Sequence, residues 1–167
     1  MKKFFRISLT TFLLATLFSG CLKDYECNYD PCSYKAPAAE ITELRDYLTV
    51  NNITATEHCS GLFYRIENMG NGKDLDNCGT IQVKYKGKLK NGTVFEERTD
   101  PIIFELEDLI PGWKNALPLI KAGGKIHIYI PPSLGYGNQA VTDRSTGAEI
   151  IPANSMLIME IELVAVL

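Results

Sequence analysis

The chain has 167 residues, 46% of them hydrophobic and 22% charged, with a formal charge of −3. That length leaves room for one full-sized core and argues against two. An excess of acid over base argues against nucleic acid as a partner, because phosphate binding needs concentrated Lys and Arg.

The N-terminus opens with Lys2, Lys3 and Arg6, runs through an apolar stretch from Ile7 to Phe18 and closes on Ser19, Gly20 and Cys21. The apolar run is shorter than the ~20 residues a membrane-spanning helix needs. A basic start, a short apolar run and small residues at its end read as an export signal over residues 1–20. Its loss would remove three positive charges and no negative one, moving the net charge from −3 to −6. The phrase LFSGC resembles a bacterial lipobox, with Phe18 where Leu is usual. The resemblance implies that Cys21 is acylated and holds an exported protein at a bacterial membrane, facing the periplasm or the cell surface.

Residues 21–39 are polar, contain prolines and have no hydrophobic period, so they are expected to form a tether. With Cys21 set aside, Cys27, Cys32, Cys59 and Cys78 remain, an even number that suggests disulfides in an exported chain. Three pairings are open, of which Cys27–Cys32 with Cys59–Cys78 is the most local. Zinc is disfavoured: there is no Cys-x-x-Cys pair, and His58 and His127 are the only histidines. His127 alternates with Ile126 and Ile128 and reads as an ordinary strand residue.

Within residues 40–58, Ile41, Leu44 and Leu48, with Tyr47 more loosely, recur at helical spacing, and Asn51-Asn52 ends the pattern. A short amphipathic helix and a connector are predicted there. From Leu62 the period falls to 2. LFYRI is a first strand, and TIQVKYKGKL a second with Ile81, Val83 and Tyr85 on one face. Its lysines read as a solvated face. Asn91-Gly92 signals a hairpin, and PIIFEL is a further strand. Trp113, Ala116, Leu117 and Ile120 then recur at helical spacing behind Pro111-Gly112, predicting one short helix with Pro118 inside it. GGKIHIYIPP and MLIMEIELVAVL return to strands. Strands, one helix, then strands again describe an antiparallel α+β design with the helix on one face of a twisted sheet.

Four phrases carry a family likeness over residues 59–167: VKYKGKLKNGTVFEE, LIPGWKNAL, AGGKIHIYIPPSLGYG and EIIPANSMLIMEIEL. In this order they resemble the FKBP-type peptidyl-prolyl cis-trans isomerases. The resemblance implies a half-barrel antiparallel sheet wrapped around one short helix, with a shallow apolar pocket between them. Trp113 would form its floor, Tyr85, Phe95, Phe104 and Tyr136 its walls, and Leu109, Ile110, Ile150 and Ile151 its rim. Backbone N–H of Ile110 and the Tyr136 hydroxyl would hold substrate carbonyls. The implied activity is rotation of X–Pro bonds in exported polypeptides by non-covalent binding, without metal or cofactor. Tyr85, Phe95, Glu96, Trp113 and Tyr136 would form the catalytic set, and immunosuppressant macrolides are further implied ligands.

The chain also departs from that family's pattern. Glu96 stands where Asp is usual, Ile102 at a rim position often aromatic, and Met159 where Phe commonly lines the pocket. The segment between Phe95 and Pro101 is shortened, with Arg98 loosely matching a basic partner of the missing Asp, and the lid from Asn138 to Glu149 is lengthened. These changes imply an altered preference or rate. Two other readings stay open: a peptide-binding or chaperone lipoprotein with little catalysis, and an assembly lipoprotein that uses the fold as a scaffold.

Overall fold

The computed structural model describes residues 28–76 and 78–167. The export signal, Cys21 and Cys27 lie outside the described residues. Helix α1 covers Ala38–Val50, followed by strands β1 (Thr56–Glu57), β2 (Phe63–Asn68), β3 (Thr80–Leu89) and β4 (Val94–Glu105). Helix α2 (Pro111–Ala116), β5 (Gly124–Ile130), β6 (Val141–Thr142), β7 (Glu149–Ile151) and β8 (Leu157–Val166) complete the order. Six strands form one antiparallel sheet in the order β1-β2-β5-β8-β3-β4, and β6 pairs with β7 in a separate hairpin. The expected α+β architecture is the one observed.

Strand alternation fixes which side of the sheet is the core. Ile81 and Val83 of β3, Ile126 and Ile128 of β5, and Ile161 and Leu163 of β8 are fully buried on one side. The intervening charges point outward and pair across strands: Lys88 with Glu160 at 2.6 Å, Lys86 with Glu97 at 3.1 Å, and Lys125 and His127 with Glu67 at 3.2 and 2.7 Å. Lys84, Lys86 and Lys88 of KYKGKLK therefore face acids of neighbouring strands, and Lys90 faces Glu43 of α1.

Two elements run differently from the sequence pattern. Strand β4 is continuous from Val94 to Glu105, where two separate strands were expected, because Thr99, Asp100 and Pro101 are absorbed as a bulge opposite Lys84. Proline is tolerated there since β4 is the sheet's edge, where a missing N–H breaks no inner ladder. In the second case the α-helix ends at Ala116 and Leu117–Leu119 continue as a 3₁₀ turn. Pro118 cannot donate to the carbonyl four residues back, which stops the α pattern.

The chain between β4 and β5 must cross β8 and β3, and it does so through α2. Trp113, Ala116, Leu117 and Ile120 are thereby buried on the inner face of the sheet.

Residues ahead of the sheet are fastened to it. Ile41, Leu44 and Leu48 of α1 are buried and join the main core, and the helix ends where Asn52 adopts φ +55 while Ile53 N–H reaches back to Leu48 O at 2.8 Å. Gly61 lets the helix approach closely, since a Cβ there would stand 2.6 Å from Ile41 Cδ1. Residues 28–37, expected as a tether, make specific contacts. Ala36 N–H donates to Ser60 O at 2.9 Å, the Tyr29 hydroxyl donates to Asn115 Oδ1 at 2.5 Å, and Lys114 Nζ sits 5.0 Å from the Tyr29 ring centre. The connector after α1 supplies β1 to the sheet edge.

Cys32 is bonded to Cys59 across 27 residues, with Cα atoms 5.5 Å apart. This overturns the most local pairing, because the Ala36–Ser60 contact brings Cys59 beside the N-terminal segment. Cys78 is disulfide-bonded as well. Closing a loop of that length restricts the unfolded chain by about 3–4 kcal/mol in the chain-entropy account.

If α1 belongs to the core, truncating its inner face must destabilise the whole domain. Leu44→Ala, at a fully buried position, is expected to cost about 2–5 kcal/mol in urea unfolding. Val50→Ala, on the same helix but 80% exposed, should stay within about 0.5 kcal/mol of the parent.

Candidate functional site

A cavity of about 360 Å³ opens between the concave side of the sheet and α2. Its floor and walls are mostly aromatic. Trp113 lies nearly perpendicular to Tyr85 (ring centres 5.1 Å apart, 85°) and to Phe104 (6.3 Å, 88°). Such edge-to-face contacts fix the indole beyond what area burial alone would do. Phe95, Ile102, Leu109, Ile110, Tyr136, Leu157 and Met159 complete the apolar lining, and Glu96, Arg98 and Asp108 supply its polar groups.

Local sequence explains how these side chains converge. Tyr85 faces inward because β3 alternates strictly from Ile81 onward. Phe95 is the extra residue of a bulge, since Gly87 pairs with Glu96 while Lys88 pairs with Val94. The bulge turns its ring over Gly87, where any Cβ would overlap it. Ile110 precedes Pro111 at the first helical position, and its carbonyl accepts the N–H groups of Trp113 and Lys114 at 3.0 and 3.3 Å. No acceptor for the Ile110 N–H is present among the described residues. That leaves one backbone donor beside the cavity.

Glu96 Oε1 accepts from Nε and Nη2 of Arg98 at 3.1 and 3.0 Å, a two-point ion pair. The Tyr85 hydroxyl lies against that pair, and its pKa is pushed up to about 12, first by burial and then by the Glu96 carboxylate, with Arg98 pulling the other way. Burial also raises the pKa of Tyr136, with a smaller push from Glu96. Both phenols are therefore neutral hydrogen-bond donors at physiological pH.

A scan against protein-family models matches residues 72–164 to the FKBP-type peptidyl-prolyl cis-trans isomerase model. The chain belongs to this family. All the cavity-lining residues fall inside the matched span, whereas α1, β1, β2 and the Cys32–Cys59 disulfide fall outside it. FkpA of Buchnera aphidicola is 45% identical over 108 residues, covering 62% of this chain and 40% of that protein. Among solved structures, a peptidyl-prolyl cis-trans isomerase from Pseudomonas syringae superposes with a TM-score of 0.65 at 30% identity, covering 79% of this chain and 97% of that one. Escherichia coli FkpA gives 0.64 at 34% identity, covering 77% and 60%. The chain spans about two fifths of the length of the curated relatives it matches.

In this FKBP-type domain most residues singled out from sequence do meet at the cavity: Tyr85, Phe95, Glu96, Ile102, Phe104, Leu109, Ile110, Trp113, Tyr136 and Met159 all line it. Ile150 and Ile151 do not. They sit on β7, where Ile151 pairs with Val141 and is buried in the core and Ile150 packs against it. The loop that contains Asn138 to Glu149 closes on itself as a hairpin, with the Ile pair on its second strand. Asp108 and Leu157 are lining residues that the sequence reading passed over. Leu157 was findable, since it faces the same way as Met159 two residues on. Asp108 ends a 3₁₀ turn after β4 and had no periodic signal.

Cys32, His58 and Cys59 place their ligand-type atoms within 4.8 Å of one another. The two sulfurs are joined as a disulfide, so neither is a thiolate ligand.

The Tyr85 shift has a sign that can be tested. Its phenol stays protonated in the fold after it has ionised in the unfolded chain, so this contribution to stability is full below pH 10 and declines as the pH rises towards 12. The tyrosinate absorbance difference between the parent and Tyr85→Phe should show the Tyr85 phenol still protonated near pH 11. Glu96→Gln should move that titration down, because it removes the carboxylate and leaves Arg98 unpaired.

Proposed function

We propose that the protein is a peptidyl-prolyl cis-trans isomerase acting on exported polypeptides while tethered to a bacterial membrane through acylated Cys21. The observation that carries the isomerase reading is a largely apolar cavity lined by five aromatic residues, with a backbone donor without an acceptor among the described residues and a neutral phenol at its edge.

The barrier to turning an X–Pro bond is about 18–20 kcal/mol and comes from amide resonance, so no covalent bond has to break. The planar amide places charge on its oxygen and is stabilised by water. The twisted form is less polar there. Seating the proline ring on Trp113 among Tyr85, Phe95 and Phe104 strips that water and raises the planar state relative to the twisted one. The Ile110 N–H and the Tyr136 hydroxyl are suited to hold the flanking carbonyls, so that rotation is confined to one bond. Glu96, locked by Arg98, keeps the Tyr85 hydroxyl oriented at the cavity wall. Each ~1.4 kcal/mol of differential stabilisation is tenfold in rate, so a few such contacts suffice. The same cavity is a seat for immunosuppressant macrolides.

Export and anchoring are supported by the basic start, the apolar run from Ile7 to Phe18 and the small residues before Cys21. Two acyl signals would give stable attachment where a single chain gives only marginal binding. The disulfide-bonded state of Cys32, Cys59 and Cys78 accords with an oxidising compartment.

The deciding experiment is the cis-to-trans rate of X–Pro peptides with the purified protein. Acceleration that falls by at least about tenfold in folded Trp113→Ala protein is expected, with a smaller loss for Glu96→Gln. No acceleration across a series of X residues would leave a peptide-binding module, recognised by Trp113 fluorescence changes on adding the same peptides. For the anchor, Cys21→Ser is expected to release the protein from the membrane fraction. Unchanged membrane association in that variant would reject acylation as the tether.

A further inference from the structure

Tyr136 reaches the cavity from a short loop whose hydrogen bonding is almost closed. In the turn Pro132–Leu134, Leu134 N–H donates to Pro131 O at 3.0 Å, and Gly135 and Gly137 N–H both donate to Pro132 O at 2.9 and 2.8 Å. Pro131 and Pro132 have no N–H to satisfy. Ser133 therefore supplies the first backbone donor of the turn, and nothing within the turn accepts it. Its acceptor comes from 93 residues away, where Glu40 Oε2 in the first turn of α1 takes that N–H at 2.9 Å. A carboxylate on a backbone N–H makes a charge-assisted bond, stronger than a neutral one.

The loop has little freedom apart from this contact. Leu134 is buried, and a Cβ on Gly135 would lie 3.1 Å from Leu157 Cδ1, a side chain that lines the cavity. Any shift of Ser133 is passed through two packed residues to Tyr136.

We infer that Glu40 is a positioning residue for the site: α1, which lies outside the family-matched span, holds through Glu40 the loop that presents the Tyr136 hydroxyl to the substrate. The catalytic part of this inference rests on the isomerase reading. On that reading the Tyr136 hydroxyl holds a flanking carbonyl through the planar and twisted states alike, so loosening it weakens binding more than turnover.

The test compares three full-chain variants by amide hydrogen exchange at Ser133–Gly137 and by KM and kcat on an X–Pro peptide. Glu40→Ala is expected to speed exchange at Ser133 and to raise KM by about 3- to 10-fold with a smaller change in kcat. Glu40→Gln keeps an acceptor oxygen and should restore most of both. Glu43→Ala breaks the 2.6 Å ion pair from the same helix to Lys90 without touching the loop, and should match the parent. Exchange and KM unchanged in Glu40→Ala would overturn the inference. So would an equal loss in Glu43→Ala, which would mean that α1 acts only by general bracing. If the parent protein does not accelerate rotation, the isomerase reading fails on its own. Exchange at Ser133, with peptide affinity from Trp113 fluorescence, then still decides whether Glu40 positions the loop.

Discussion

Helix α2 has six residues, too few to be stable alone, because helix nucleation fixes several residues for each hydrogen bond gained. What makes it form is the burial of Trp113 against Tyr85 and Phe104 on the inner face of the sheet. Much else follows from that contact. A helix held this way has to enter through Ile110 and Pro111, which leaves the Ile110 N–H without an acceptor among the described residues. A sheet that curves around so short a helix cannot be filled along its whole length, and the unfilled part is the cavity. The packing that stabilises the domain and the opening that receives a ligand are two consequences of one indole.

A single ion pair, Glu96–Arg98, sets the polar character of the β4 side of the cavity. Glu96 and Arg98 neutralise each other, and the phenol of Tyr85 rests against the pair in its neutral form. Glu96, one methylene longer than the Asp usual in this family, still reaches a basic partner two residues on along β4. The register sets Arg98 opposite Tyr85 across the ladder, next to the bulge opposite Lys84. On the outer face the many Lys–Glu pairs are exposed and individually contribute little to stability. Their effect is to keep strand faces soluble and in register.

Elements outside the family-matched span are integral to the domain. Helix α1 contributes Ile41, Leu44 and Leu48 to the same core as the sheet, and the Cys32–Cys59 bond ties the preceding segment down. Tyr29 contacts Asn115, which lies on α2 itself. The N-terminal segment therefore braces the domain at the helix beneath the site.

Periodicity made most of the framework legible. Alternation at Ile81, Val83 and Tyr85, helical spacing at Ile41, Leu44 and Leu48, and the Asn91-Gly92 turn each state a local preference that the packed structure obeys. The aromatic set was legible for a different reason: several phrases in a fixed order carried a family likeness that no single residue could. Where reading failed, the deciding interaction was long-range. The family likeness put Ile150-Ile151 at the rim, yet Ile151 pairs with Val141 and is buried in the core. Cys32 meets Cys59 because a backbone bond from Ala36 to Ser60 joins segments far apart in sequence. By itself, then, the sequence determined most of the long strands, the helices, the family likeness and the residue types of the pocket, since these follow from local spacing and recurring phrases. Only the tertiary structure decided the disulfide, the course of the lid and the reach of Glu40 to Ser133, because each depends on which distant segments a shared core brings within a few ångströms.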